Sequence, residues 1–198
     1  YTMELHADDL AALMDVLDIE KAHIGGTSYG AEISMVFALR YPERTKSLII
    51  TSAVSHVDPL LRALTDTWAI AAEAGNAELL YRVVYPLTFS EDWIAANDQV
   101  LAQARQRYET LDMRAFRDLV HCFAEMDVTA DLHDIEAPAL VVVGEQDMLK
   151  RRIYSEIIYH ELPDAEFAVI PYAGHAAMWE KAGVFNTLIL GFLAKHAS

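Results

Sequence analysis

Cysteine is almost absent from this chain. Cys122 stands alone among 198 residues. A single thiol closes no intramolecular disulfide, so the fold must rest on its apolar core, and a reducing, cytoplasmic setting is expected. Cys122 itself, within Leu119-Val120-His121-Cys122-Phe123, reads as a small buried apolar residue. Positive charge is scarce too: 15 Lys and Arg stand against 30 Asp and Glu, a formal net charge of −15. A nucleic-acid partner needs a basic footprint, and an anionic membrane surface repels such a chain, so neither partner is expected. Long apolar runs are missing; the best one, residues 184–194, is too short and interrupted to span a bilayer. There is no basic region followed by an apolar stretch at the N-terminus, hence no visible signal peptide. The chain opens on Tyr1 rather than Met, which leaves a preceding segment, and a signal within it, open. The eight histidines show no ligand spacing such as His-x-x-x-His beside a carboxylate, so no metal is expected.

What is present is a globular composition, 54% hydrophobic and 23% charged, long enough for one domain carrying a sizeable insertion. Leu5, Leu10, Leu13 and Leu17 recur at helical spacing. A short strand follows over residues 21–26, then a helix over 31–41 that Pro42 stops. Residues 47–51 read as a second strand. From Pro59 to about Asp127 the pattern is helical throughout. Asp58-Pro59, Ser90 and Asp112 open helices, and Gly75-Asn76 breaks one. Strands return at 139–143, a continuous apolar run, and at 167–170, read as another buried strand. Helices are expected over 153–160 and 180–195. This alternation predicts an α/β fold: a parallel sheet with crossover helices, interrupted by a helical insert. The expected parts are residues 1–57, the insert at 58–130, and 131–198.

Three loops carry candidate chemistry. Gly26-Thr27-Ser28-Tyr29-Gly30 is a Gly-x-Ser-x-Gly placed after a predicted strand and before a predicted helix. A serine at such a turn sits in a strained conformation, and the flanking glycines let backbone approach closely. The helix start aims free N–H groups at the reaction centre, the Tyr29 N–H among them as an oxyanion donor. Asp147 follows the apolar strand through Gly144-Glu145-Gln146, on the sheet edge where ligands bind. His175 follows the last strand through Pro171-Tyr172-Ala173-Gly174. His6, His160 and His196 read as solvated helix positions, and His56 as a surface turn. The order Ser28, Asp147, His175 at successive strand ends is the order of a serine nucleophile, an acid and a general base.

Those residues resemble the α/β-hydrolase superfamily, in its capped branch of small-molecule esterases, lactonases and carbon–carbon bond hydrolases. The resemblance runs from Asp8-Asp9-Leu10 through Gly30, over the strand leading from Ile135 to Asp147, and over Ile170 to Glu180. It implies an α/β-hydrolase fold with the insert as a cap over the pocket, and a triad of Ser28, Asp147 and His175. There are departures. The family's strands before residue 5, with the loop supplying a second oxyanion donor, are absent here. Glu32 stands where a second glycine is common, and Ala182 where a proline is usual. A sheet of about four strands would leave one edge open, to pair with a missing N-terminal segment or with a second copy of the chain.

The function this implies is acyl transfer to water on a small, mostly apolar ester or lactone, with no cofactor. Trp68, Trp93, Met148 and Trp179 are expected to line the substrate pocket. Carbon–carbon cleavage, acyl transfer to another acceptor and cofactor-free perhydrolysis use the same three residues and stay open. So does a non-catalytic binding module derived from a hydrolase.

Overall fold

A computed structural model describes residues 1–196. Helix α1 (Met3–Val16) starts where the Thr2 hydroxyl accepts the Leu5 N–H, at 3.1 Å, and buries Met3, Ala7, Ala11 and Met14. It packs on α2 (Tyr29–Arg40), which crosses between strands β1 (Ala22–Thr27) and β2 (Thr45–Thr51). Strands β3 (Ala139–Gly144) and β4 (Ala165–Ile170) follow, joined by helix α8 (Arg152–Glu161). All four strands are parallel, and their order in the sheet is their order in the chain, β1-β2-β3-β4.

The middle of the sheet is the dry part. All six residues of β3 are buried, as a strand covered on both faces requires. Leu48 and Ile50 of β2 and Val141 of β3 join Met35, Phe37 and Ile158 in the core on one face. Leu140, Val142, Ile170 and Phe192 fill the other. Burying each such side chain contributes about 1.5–3 kcal/mol.

Between β2 and β3 lie five helices: α3 (Pro59–Glu73), α4 (Ala77–Thr88), α5 (Glu91–Ala96), α6 (Asp98–Tyr108) and α7 (Met113–Ala124). Four begin on side-chain caps. The oxygens of Asp58, Asn76, Ser90 and Asp112 accept the N–H groups of Leu61, Leu79, Trp93 and Ala115. Such caps answer the unpaired donors of a first turn. The break between α5 and α6 at Asn97 has no glycine or proline to mark it. The insert enters and leaves through one neck. His56 pairs with Asp127 in an antiparallel bridge, and the Val128 N–H reaches the Ser55 carbonyl at 2.8 Å.

Four expectations are corrected. β4 is not buried throughout; it is one of the two edge strands, and only Ile170 is fully covered. The closing helix is two: α9 (Ala177–Glu180), a break at Lys181, and α10 (Ala182–Lys195). His6 is not simply solvated, because its ring stacks on Tyr1 and bonds the Tyr29 hydroxyl at 3.0 Å. His56 is half-buried in the neck, its Nδ1 3.2 Å from the Thr129 hydroxyl.

Candidate active site

Chain and sheet order place the C-terminal ends of β1, β2, β3 and β4 along one rim, and the loops leaving that rim carry the polar side chains. At the first, β1 turns into α2 through Ser28, whose φ of 56° and ψ of −124° lie outside the ordinary regions for a residue with a side chain. Holding such a residue costs about 1–3 kcal/mol and is typical of functional turns. The turn is held on its neighbour, since the Ser28 N–H donates to the Thr51 carbonyl at 2.9 Å. Gly26 makes the turn possible: a Cβ there would lie 2.2 Å from the Gly30 carbonyl carbon. Gly30 needs no such exemption, because its own Cβ direction is open. Of the two flanking glycines, the first is the one sterics demands.

At the third strand end, Asp147 sits in a tight turn, its N–H on the Gly144 carbonyl at 3.1 Å. Its Oδ1 accepts the backbone N–H groups of Leu149 (3.0 Å) and Lys150 (2.8 Å). Its Oδ2 lies 2.9 Å from Nδ1 of His175. A carboxylate only accepts, so Nδ1 donates and Nε2 keeps its lone pair. Both residues are buried. The histidine loop crosses close over β3: a Cβ on Gly144 would fall 2.1 Å from the Gly174 carbonyl oxygen. The Ser52 hydroxyl, one residue beyond the strand end that holds Ser28, donates to the His175 carbonyl at 3.2 Å. Ser28 and His175 are thus anchored to adjacent residues of one corner. The Ser28 hydroxyl makes no hydrogen bond to the imidazole among the described residues.

Ser28 opens into a cavity of about 270 Å³ between the sheet rim and the insert. Leu61 and Trp68 of α3, Phe116 and Phe123 of α7, and Leu149 supply apolar walls, and Lys150 the one cation. The Tyr29 N–H heads the first turn of α2, where no intrahelical acceptor exists. The Tyr29 phenol points to His6; burial, with the neighbouring Cys122 thiol, pushes its pKa far up.

Of the four residues expected to line the pocket, the structure brings only Trp68 to Ser28. Met148 is 64% exposed and faces a separate cleft beside Asp147. Trp93 and Trp179 line a second cavity, of about 360 Å³, between the insert and α9. They are drawn there by aromatic stacking: Phe89 lies 4.1 Å from Trp93 and 6.3 Å from Trp179, centroid to centroid. Three residues were missed. In the sequence Glu180 stands out only as the end of the histidine loop, yet its carboxylate accepts the Ser90 hydroxyl, the Ser90 N–H and, at 3.0 Å, the Gly174 N–H, tying the insert to that loop. Glu32 and Lys150 form a buried ion pair at the cavity wall, at 2.7 Å. Two opposite charges in otherwise apolar surroundings were the available signal, but 118 residues separate them.

The class follows from sheet, elbow and strand-end loops together. A family model described as alpha/beta hydrolase fold matches residues 1–182, and the chain belongs to the α/β-hydrolase family, as a hydrolase. Among its relatives is a protein named "Putative carbamate hydrolase RutD" from Caulobacter sp. (strain K31), 29% identical over 206 residues, spanning 100% of this chain and 75% of its own length. Another, from Paraburkholderia phymatum, is named a 2-hydroxy-6-oxononadienedioate/2-hydroxy-6-oxononatrienedioate hydrolase. It is 31% identical over 208 residues, across 97% of this chain and 69% of itself. A solved thermophilic esterase from Thermogutta terrifontis superposes with a TM-score of 0.91 at 26% identity, over 100% of this chain and 74% of that one. Among the described residues, no helix is long and apolar enough to cross a membrane.

Proposed function

We propose that this hydrolase cleaves a small, mostly apolar ester or lactone through an acyl-enzyme on Ser28. One observation carries the reading: a serine at a strained strand-to-helix turn opens into an apolar cavity, and its turn is anchored one residue from the anchor of a histidine whose Nδ1 is fixed by a buried aspartate. In the first half-reaction, Nε2 of His175 takes the Ser28 proton as the oxygen attacks the carbonyl carbon. The carbonyl π electrons move to oxygen, where the Tyr29 N–H stabilises the charge. Collapse expels the alkoxide, which leaves as the alcohol with the proton from His175. A lactone instead stays attached through its acyl end. In the second half-reaction, His175 deprotonates water, which attacks the acyl carbon and releases the acid and Ser28. Asp147 holds the imidazole in the useful tautomer and offsets its charge.

Cavity size and lining support the substrate class: about 270 Å³ with one already paired cation suits a short apolar acyl group better than a dianion. The test is a panel of p-nitrophenyl esters of rising chain length, beside a carbamate and a vinylogous diketo acid, with fluorophosphonate labelling of Ser28. Short esters should turn over fastest, and Ser28→Ala should lower turnover by on the order of 10⁴-fold or more and abolish labelling. A folded wild-type protein that neither labels nor turns over any ester defeats the proposal. A strong preference for the carbamate or the diketo acid replaces the substrate.

A further inference from the structure

The buried charges at Glu32 and Lys150 have no part in the chemistry just described, yet they lie against it. Glu32 occupies the first turn of α2, and its backbone N–H donates to the Ser28 carbonyl at 3.2 Å. Its side chain is 0% exposed; one carboxylate oxygen accepts the Val54 N–H at 2.9 Å, just past the end of β2. The Lys150 ammonium, 3% exposed, meets both Glu32 oxygens at 2.7 Å and lies 4.7 Å from the centre of the Phe123 ring. The Lys150 backbone N–H is in turn one of the two donors on Asp147 Oδ1. A continuous path of hydrogen-bonded residues therefore leads from the Ser28 backbone through Glu32 and Lys150, at the cavity wall, to Asp147 and His175.

We infer that the Glu32–Lys150 pair is a positioning element that sets the nucleophile turn in register with the acid and the histidine. The inference rests on the function proposed above. Burial alone gives little reason for such a pair, since a buried ion pair contributes no more than apolar residues of equal size would. What it supplies is direction: a bidentate contact fixes the distance between α2 and the acid loop, and the required geometry at an active site tolerates errors of only about 1 Å. Burial pushes the Glu32 carboxyl up and the Lys150 ammonium down, and each charge opposes the other's shift, so both groups depend on staying paired. The titratable groups facing this cluster are Tyr29 from α2, Asp147 from the acid loop and His175 from the histidine loop.

The experiment compares wild type, Glu32→Gln, Lys150→Met and the double variant in thermal midpoint, Ser28 labelling rate, and kcat and KM on p-nitrophenyl butyrate. Each single variant strands one buried charge and should lose both stability and rate. The double variant removes both charges at nearly constant volume and should recover most of the thermal midpoint. Its kcat and labelling rate should stay about tenfold or more below wild type, with KM within threefold. If rate recovers together with the midpoint, or if the loss lies in KM alone, the pair merely fills space and the inference fails. If the double variant does not fold, Glu32→Asp serves instead: it keeps the charge but shortens the reach, and a wild-type kcat there overturns the inference equally. An inert wild type defeats the earlier proposal, which separates the two.

Discussion

The sheet and the insert solve different problems. The sheet is stiff where it carries chemistry: β3 is buried along its whole length, and the turns at 28 and 147 are fixed by backbone hydrogen bonds to neighbouring strands. The insert is a set of helices, four of them capped by side chains, that meets the sheet half at a neck, at the Glu180 contacts and where Asp58 meets Tyr154 and Arg151. It supplies most of the apolar cavity walls, through α3 and α7, but none of the polar groups proposed for bond making. Reaction and selection are thus assigned to different pieces of chain. One needs positional accuracy, and the other needs surface that can vary.

That division can be broken from either side. The largest expected effect is in the sheet. Leu48→Ala removes a fully buried side chain from the middle of β2 and should cost about 2–5 kcal/mol in chemical denaturation. Turnover per folded molecule should stay close to wild type. A cost under about 1 kcal/mol would mean that the sheet is not the stiff half. A smaller loss, about 1–3 kcal/mol, is expected from Glu180→Ala, which leaves the Ser90 and Gly174 donors without their acceptor. This variant should also accelerate proteolysis within the insert; unchanged cleavage there would remove Glu180 as the link between the halves. The smallest effect sits where α3 meets α8. The Asp58 carboxyl is held below its ordinary 3.8: burial pushes it up, but the Leu61 N–H, the Tyr154 hydroxyl and Arg151 outweigh that. A group with a depressed folded value contributes stability above the unfolded pKa and loses it as pH falls through the folded value. Asp58→Asn keeps a capping oxygen but loses the charge, so it should cost up to about 1 kcal/mol at pH 7, and the gap from wild type should close as pH drops below 3.8. A gap independent of pH would show that the Asp58 charge contributes nothing.

How much of this could be read from the sequence depended on how local each signal was. Ser28 was legible because a strand, a glycine-flanked serine and a helix follow one another within a few residues. Asp147 and His175 gained meaning from following strands of their own. The same apolar run that marked β3 as central misled at β4, since Phe167-Ala168-Val169-Ile170 does not say whether a fifth strand lies beside it. Sheet order, not composition, decides that. The walls near Ser28 were half legible: aromatic residues in the insert were recognisable as a class, but which of them turn toward the serine depends on helix packing. Phe89 keeps Trp93 and Trp179 for itself. The Glu32–Lys150 pair was invisible as a pair, because nothing in either neighbourhood points to the other.

The neck has a consequence for descent. Because His56 and Asp127 are partners, the seventy or so residues between them depart from and return to a single point. Such a block can be lengthened, shortened or exchanged wholesale while every strand keeps its neighbour. New specificities then become accessible by grafting at one junction, without the catalytic framework being rebuilt.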